Sequence, residues 1–367
     1  AALTPASAAV AASPADAVDM AIDGAGLSPQ VYVAHLQRIA AAPDFAADYY
    51  SNDGAIAALE RKFAALLGKP AALFVPTGTL ANLLAVRRLA GARRRVLVQA
   101  ESHLYNDSGD GATTLAGLNL VPLAAGQADL SLDEVRSWVE RSAGGRVPTR
   151  VGVIAIESPV RRRDHAFVDF DEVGRIAAFA REHGIRMHLD GARLFNLPQH
   201  TGRSLQEWTA LFDTVYVSLW KHFNAASGAI LAGSEEFIAG LFHQRRMFGG
   251  SLPGAWPVAA VAAAYAESYL EDYRHAWSIA EAVFAQLQAD GRFRVRRLRN
   301  GTCRVFLRVQ GCEPAAYIEA LRGHGIAPPW QVGDSDEMAM QVNASWLRGT
   351  SKDLVHALRA AADEAGA

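Results

Sequence analysis

The stretch RMHLDGARLFN, residues 186–196, shows how the chain is built, because an apolar run there ends in an acid, a small-residue turn and a base. Such a run predicts a buried strand, Arg186 to Asp190. Six similar runs predict further strands: Ala71 to Val75, Val96 to Ala100, Asn119 to Leu123, Val151 to Glu157, Thr214 to Ser218 and Ala229 to Ala232. Helical patterns separate these runs, which predicts an α/β fold with a mostly parallel seven-stranded sheet that binds its ligand at the carboxyl ends of the strands.

Length and composition predict a large domain and a smaller one. The 367 residues are 50% hydrophobic and 20% charged, which is typical of a folded globular protein. We expect an N-terminal lead-in and arm over residues 1–48, a large domain over 49–270, and a small C-terminal α+β domain over 271–367. The opening AALTPASAAVAASPADA has low complexity and predicts a flexible lead-in.

Charge and cysteine content limit the partners that we expect. A formal net charge of -2 gives no positive field for nucleic acid or an anionic membrane, so neither is an expected partner. Cys303 and Cys312 suggest no disulfide framework, and the histidines lack metal-ligand spacing, so we expect no metal. We expect a cytoplasmic location, with export after signal removal as the alternative, and the sequence contains no signal-peptide pattern that decides between them.

Two motifs at predicted strand ends suggest a phosphate site and a functional imidazole. In PTGTLAN, residues 76–82, Thr77, Gly78 and Thr79 lie where a strand turns into a helix, and backbone N–H groups at a helix start bind phosphate. The alternative is a plain turn with Thr as the N-cap. In ESHLY, residues 101–105, His103 is placed to stack on a flat ring or to exchange protons, although a lone histidine is more often structural.

Asp190 and Lys221 suggest a cofactor. A carboxylate at a buried strand end is costly unless it meets a cation, and the ring nitrogen of pyridoxal phosphate (PLP) is such a cation. The alternative is a local salt bridge between Asp190 and Arg193. Lys221 follows an apolar strand and is the only lysine between Lys69 and Lys352, so it is the candidate for a Schiff base with PLP in this region.

With these residues in place, the chain resembles the threonine aldolase and β-eliminating lyase family of fold type I PLP enzymes, whose fold is like that of aspartate aminotransferase. The similarity runs from about Tyr49 to Ala264 and is strongest in PTGTLAN, ESHLY, LDGARLFN and the strand before Lys221. The resemblance implies these roles: Thr77, Gly78 and Thr79 at the cofactor phosphate, Ser218 as a further phosphate contact, His103 over the pyridine ring, Asp190 at the ring nitrogen, Arg193 beside the phenolic oxygen or the substrate carboxylate, and Lys221 as the Schiff-base lysine.

The activity that the resemblance implies is cleavage of the Cα–Cβ bond of a β-hydroxy-α-amino acid, giving glycine and an aldehyde, as in an L-threonine aldolase. His103, Asp190, Arg193 and Lys221 would be the catalytic residues, with His103 or a water that it holds as the base. One alternative keeps PLP in a β-eliminating lyase or an aminotransferase. Another is a non-catalytic relative that binds an amino compound.

Several positions depart from the family pattern. The strand Met338 to Asn343 lacks the arginine that normally holds the substrate carboxylate, and GGSLPG, residues 249–254, replaces the usual GGGMRQ. The run Arg161 to Arg163 is a candidate for that carboxylate contact, although three consecutive arginines usually form a solvated loop.

The resemblance also implies a homodimer or homotetramer with active sites at the subunit interface. Candidates for contacts across that interface are Tyr49, Tyr50 and the pair Arg245 and Arg246.

Overall fold

The computed structural model describes residues 17–333 and 335–366, so nearly all of the predicted flexible lead-in lies outside the described residues. The described strands are β1 (Val18–Asp19), β2 (Ala71–Val75), β3 (Arg95–Gln99), β4 (Asn119–Leu123), β5 (Val151–Glu157), β6 (Arg186–Asp190), β7 (Thr214–Ser218), β8 (Ala229–Gly233), β9 (Phe293–Arg296), β10 (Arg304–Val309), β11 (Ile326–Ala327), β12 (Trp330–Gln331) and β13 (Glu337–Gln341).

The described helices alternate with these strands over the first two thirds of the chain. They are α1 (Pro29–Ala40), α2 (Gly54–Leu66), α3 (Gly78–Ala90), α4 (His103–Asn106), α5 (Gly111–Thr114), α6 (Leu132–Ala143), α7 (Phe170–Glu182), α8 (Leu197–Thr201), α9 (Leu205–Ala210), α10 (Leu219–His222), α11 (Glu235–Ala239), α12 (Phe242–Met247), α13 (Trp256–Ala266), α14 (Tyr269–Ala289), α15 (Pro314–Gly323) and α16 (Ser351–Ala365). In the described part of the chain, none of these helices combines the length and the apolar character that crossing a bilayer requires.

The chain divides into two compact units. The larger unit contains residues 36–274 and 297–304, and the smaller contains the described residues before 36 together with 275–296 and the described residues from 305 onward. The domain bounds expected from the sequence, at 49–270 and 271–367, stay a prediction. The units include segments that return from distant parts of the chain, which a linear division of the sequence does not anticipate.

A seven-stranded sheet forms the centre of the larger unit, in the order β2-β8-β7-β6-β5-β3-β4. Neighbours from β4 through β7 pair in parallel, while β8 runs antiparallel to both β7 and β2. The central strands β5 and β7 are buried along their whole length, as expected when helices cover both faces of a sheet. The predicted mostly parallel sheet is confirmed, with each predicted strand present to within one residue at either end.

The strand register sets the position of the polar side chains. Glu157 is the partner of Asp190 across β5 and β6, and Asp190 is the partner of Tyr216 across β6 and β7. Because these strands are parallel, all three residues lie at or near the carboxyl edge of the sheet. The register therefore gathers two buried carboxyl groups and a phenol at one place.

The smaller unit contains a four-stranded sheet in the order β12-β13-β10-β9, with antiparallel pairing at both ends. This unit also contains helices α15 and α16, so it mixes helices and strands as expected for an α+β domain. The first described strand, β1, was not predicted, and it pairs in parallel with β11. The apolar and amphipathic stretch over residues 253–290 forms two helices, α13 and α14.

Candidate active site

A cavity of about 180 Å³ lies at the carboxyl ends of β2, β5, β6 and β7. Seven of the eight residues that the sequence proposed for the site line this cavity. The full lining is Thr77, Gly78, Thr79, His103, Glu157, Arg161, Asp190, Ala192, Arg193, Tyr216, Trp220, Lys221 and Ser227. The eighth, Ser218, is buried at the end of β7 and does not belong to this lining, so its phosphate contact stays a prediction.

The start of α3 forms a tight cradle beside the cavity. The hydroxyl of Thr77 accepts a hydrogen bond from the Leu80 N–H at 3.2 Å, so Thr77 caps the helix as the alternative interpretation expected. A Cβ atom on Gly78 would lie 1.9 Å from the Tyr216 hydroxyl oxygen, so this position admits only glycine without movement. The N–H groups of a first helical turn have no partner within the helix, which leaves them available to an anion.

The loop after Lys221 is fastened to the same cradle. Ser227 Oγ donates to the Pro76 carbonyl at 2.7 Å, and the Gly228 N–H donates to that same oxygen at 2.9 Å. The turn that could hold phosphate and the segment that carries Lys221 are therefore fixed to each other by two hydrogen bonds.

Asp190 is 5% exposed, and both of its oxygens accept hydrogen bonds. Asn82 Nδ2 donates to Oδ2 at 2.6 Å, and the Ala192 N–H donates to Oδ1 at 3.1 Å. Asn82 is itself 1% exposed and was missed as a functional residue, although it ends the motif PTGTLAN. A polar residue on the buried face of a helix was the signal for it.

Glu157 is a second acid in the cavity, and it was not predicted as a site residue. It is 4% exposed and accepts hydrogen bonds from the N–H of His103 at 2.5 Å and from the N–H of Arg161 at 2.8 Å. Burial, with the neighbouring charge of Asp190, raises the pKa of Glu157 to about 7. Its place at the end of a predicted strand, like that of Asp190, was the signal for it.

His103 begins α4 and borders the cavity. Burial lowers its pKa below the usual value, against the opposing effect of Asp190 and Asp107. Ser108 Oγ lies 3.5 Å from Nδ1 of the ring. A histidine with a lowered pKa is mostly neutral near pH 7 and is able to accept a proton.

Lys221 lies in α10, the short helix that follows β7, and its side chain reaches the cavity. The Nζ atom is 4.4 Å from the centre of the Trp220 ring. Trp220 is 51% exposed, so this indole forms part of the cavity mouth. The arrangement places an amine and a flat apolar surface together at the entrance.

The three consecutive arginines form one turn of 3-10 helix, and the first of them borders the cavity. Arg161 Nη2 lies 2.5 Å from Asp107 Oδ2, and Arg162 Nη2 lies 2.7 Å from Asp107 Oδ1. The hydrogen bond from Arg162, together with that from Arg161, lowers the pKa of Asp107 to about 2. The run is thus more than a solvated loop, because Asp107 holds Arg161 at the cavity.

The prediction that Arg245 contacts another subunit is wrong. Arg245 is fully buried and donates to the carbonyls of Phe74 at 2.8 Å and Ser51 at 3.2 Å. Its neighbour Arg246 is exposed and lies 5.2 Å from the Tyr50 ring. Only the second arginine of the pair therefore remains available at the surface.

Comparisons with known proteins identify the family of the chain. The cavity combines a turn suited to phosphate, a buried carboxylate and an amine. PLP enzymes bind their cofactor with groups of these kinds. The sequence model of the beta-eliminating lyase family matches residues 34–309. The chain belongs to this family.

Relatives and solved structures refine the comparison. A low-specificity L-threonine aldolase of Candida albicans is 31% identical over 222 residues, which cover 59% of this chain and 58% of that protein. A protein of Listeria monocytogenes assigned as an L-allo-threonine aldolase has a TM-score of 0.78 at 25% identity, covering 96% of this chain and 97% of its own. A serine palmitoyltransferase of S. paucimobilis with bound PLP has a TM-score of 0.68 at 18% identity, covering 95% and 88%.

These comparisons confirm the predicted fold, fold type I of the PLP enzymes. The chain spans little more than half the length of its relatives from Candida albicans, Saccharomyces cerevisiae and Eremothecium gossypii, between 52% and 58%.

Proposed function

We propose that this protein is a PLP-dependent lyase that cleaves the Cα–Cβ bond of β-hydroxy-α-amino acids, giving glycine and an aldehyde. The observation that carries the proposal is one cavity at the strand ends that gathers the Gly78 cradle, the buried Asp190 and Lys221. The threonine aldolase activity named for the relatives supports the choice of reaction.

The residues present fit the cofactor. The start of α3 suits a phosphate, because Thr77, Gly78 and Thr79 line the cavity there and Gly78 lets the turn lie close against the Tyr216 hydroxyl. Asp190 supplies a buried carboxylate for a protonated ring nitrogen, and Lys221 supplies the amine. When bound, PLP would act as an electron sink for the carbanion that remains at Cα after the Cα–Cβ bond breaks.

The chain's own groups then have to orient the amino acid and remove one proton. Arg161 and Arg193 are the cations that line the cavity beside Lys221, and we assign one or both to the substrate carboxylate. Asp107 orients Arg161. Arg161 would then take the place of the carboxylate-binding arginine that the strand Met338 to Asn343 lacks. Arg193 also acts on Glu157, because its charge opposes the rise of the Glu157 pKa.

The proton of the β-hydroxyl needs an acceptor, and two groups in the cavity are suited to this task. His103 has a lowered pKa, so its ring is ready to accept a proton near neutral pH. Glu157 has a raised pKa and holds the backbone N–H of His103, so it fixes the position from which that ring acts. We assign His103 as the base and Glu157 as the residue that positions it.

The proposal extends to assembly and location. We propose a cytoplasmic location and a homodimer or homotetramer. The assembly is supported by the exposed aromatic surface at Tyr49, which is 74% exposed and lies next to Tyr50 and Arg246. Light scattering coupled to size-exclusion chromatography measures the mass of the assembly directly, and a monomer at all concentrations would contradict this part.

Product analysis with L-threonine and L-allo-threonine tests the reaction. We expect glycine and acetaldehyde in equal amounts from the wild type, none from Lys221→Ala, and unchanged yield from Lys352→Ala, an exposed lysine far along the chain. A 2-oxo acid with ammonia would indicate elimination instead, and transfer of the amino group to a keto acid would indicate an aminotransferase. A protein that binds these amino acids without converting them would be the non-catalytic relative.

A further inference from the structure

A line of buried polar side chains leads from the cavity into the core of the larger unit. It begins at Asp190 and runs through Asn82 to His188 and Thr214. Asn82 Oδ1 lies 2.9 Å from His188 Nε2, and His188 Nδ1 lies 2.9 Å from Thr214 Oγ1. His188 and Thr214 have no exposed surface, and Asn82 is 1% exposed.

The hydrogen bonds in this line have a fixed direction. Because the Asn82 amide nitrogen donates to the Asp190 carboxylate, its oxygen must face the histidine. An amide oxygen only accepts, so His188 must carry its proton on Nε2. Burial lowers the pKa of His188 to about 4, so the ring is neutral near pH 7 and its Nδ1 accepts from the Thr214 hydroxyl.

Such a line is costly to build inside an apolar core. Each buried polar group requires a partner, and a satisfied polar network adds little net stability over well-packed apolar side chains. Ala85 and Val86 lie three and four positions after Asn82 on the same face of α3, and both are apolar and buried, which shows that this helix face accepts such residues. The line therefore has a different use, and the only group in it that borders the cavity is Asp190.

We propose that Asn82, His188 and Thr214 are positioning residues, forming a one-way hydrogen-bond relay that holds the Asp190 carboxylate in place for the ring nitrogen of the cofactor. The inference rests on the proposed function, since it assigns Asp190 to that nitrogen. The relay fixes one carboxylate oxygen from the core side, and the Ala192 N–H fixes the other from the turn. The carboxylate is then oriented before any ligand arrives, so that none of the binding free energy is lost in ordering it.

A double-mutant cycle on cofactor affinity separates this role from simple packing. The affinity of the cofactor-free protein for PLP is measured by quenching of tryptophan fluorescence. We expect Asn82→Leu to weaken PLP binding about tenfold in the wild-type background and less than twofold in the Asp190→Ala background. Equal losses in both backgrounds would overturn the relay, because Asn82 would then act independently of Asp190.

The far end of the relay supplies a milder pair of variants. Thr214→Val removes the hydroxyl at almost constant volume and should weaken PLP binding several-fold, whereas Thr214→Ser keeps the hydroxyl and should restore affinity to within twofold of the wild type. If Thr214→Ser binds PLP as weakly as Thr214→Val does, the relay is contradicted. A wild type that binds no PLP at all would instead refute the proposed function.

NMR of protein labelled with isotopic nitrogen in histidine tests the direction of the relay without cofactor. The His188 signals are identified by their loss in His188→Gln. We expect a neutral ring protonated on Nε2 at about pH 7. A ring protonated on Nδ1, or a charged ring, would overturn the proposal, and this outcome decides the matter if Asp190→Ala binds PLP too weakly to titrate.

Discussion

Gly78→Ala provides a sharp test of the phosphate cradle. The added Cβ would lie 1.9 Å from the Tyr216 hydroxyl oxygen and 2.3 Å from the ring carbon that carries it. Tyr216 is 4% exposed and belongs to a central strand, so its ring has little room to move away. Overpacking of this kind costs about 1–3 kcal/mol. We expect the variant to lose roughly this much stability and to bind PLP more weakly, because the cradle backbone has to shift.

Gly174→Ala is the matched control, since Gly174 lies within α7 and an added Cβ would meet no atom within 4 Å. Replacing a helical glycine by alanine should stabilise the protein by about 0.5–1 kcal/mol. Urea-induced unfolding followed by circular dichroism measures both variants. The clash also predicts that the substitutions at Gly78 and Tyr216 are not additive. The double variant Gly78→Ala with Tyr216→Leu should lose at least about 1 kcal/mol less unfolding free energy than the two single variants lose together. A Gly78→Ala protein as stable as Gly174→Ala would refute the cradle geometry.

Three further predictions concern charged residues. Burial raises the pKa of Glu157 to about 7 in the folded protein, so its stabilising effect is complete below pH 4.5 and is lost as the pH rises through 7. Glu157→Gln should flatten this pH dependence of the unfolding free energy, and an unchanged profile would contradict the prediction. Arg161→Gln should raise the KM for the amino acid about tenfold while Arg163→Gln changes it less than twofold, and equal effects would remove the carboxylate assignment. Arg245→Met should lower the unfolding free energy by about 2–4 kcal/mol because buried carbonyls lose their donor, whereas Arg246→Met should cost under about 0.5 kcal/mol.

The strands of the large sheet were predictable because each is a short apolar run bounded by a turn. Runs such as Val151 to Glu157 are buried on both faces, so their composition alone separates them from the amphipathic helices between them. Parallel strands bring their carboxyl ends to one edge of the sheet, so residues at or just after strand ends could be predicted as site residues. Asp190 ends such a strand, and Gly78, His103 and Lys221 lie in the turns and loops that follow other strands.

The remaining residues of the site depend on register and on tertiary contacts. Glu157 comes beside Asp190 only because β5 and β6 align in one particular register. The role of Asn82 requires both Asp190 and His188, more than 100 positions away, to reach the same face of α3. The burial of Arg245 depends on backbone carbonyls, which carry no signal in the sequence.

The short strands of the smaller unit were hidden for a related reason. β1 has two residues, and its pairing with β11 joins parts of the chain about 300 positions apart. A segment of this length carries no periodicity, so its conformation is decided by its partner.

The most direct test of the central claim is to locate the cofactor on the chain. The protein has only four lysines, Lys62, Lys69, Lys221 and Lys352, so the result is unambiguous. The protein is saturated with PLP, reduced with borohydride, digested and mapped by mass spectrometry. We expect one equivalent of reduced cofactor on the peptide that carries Lys221, and none there in Lys221→Ala. Label on another lysine, or a protein that retains no PLP, would contradict the account.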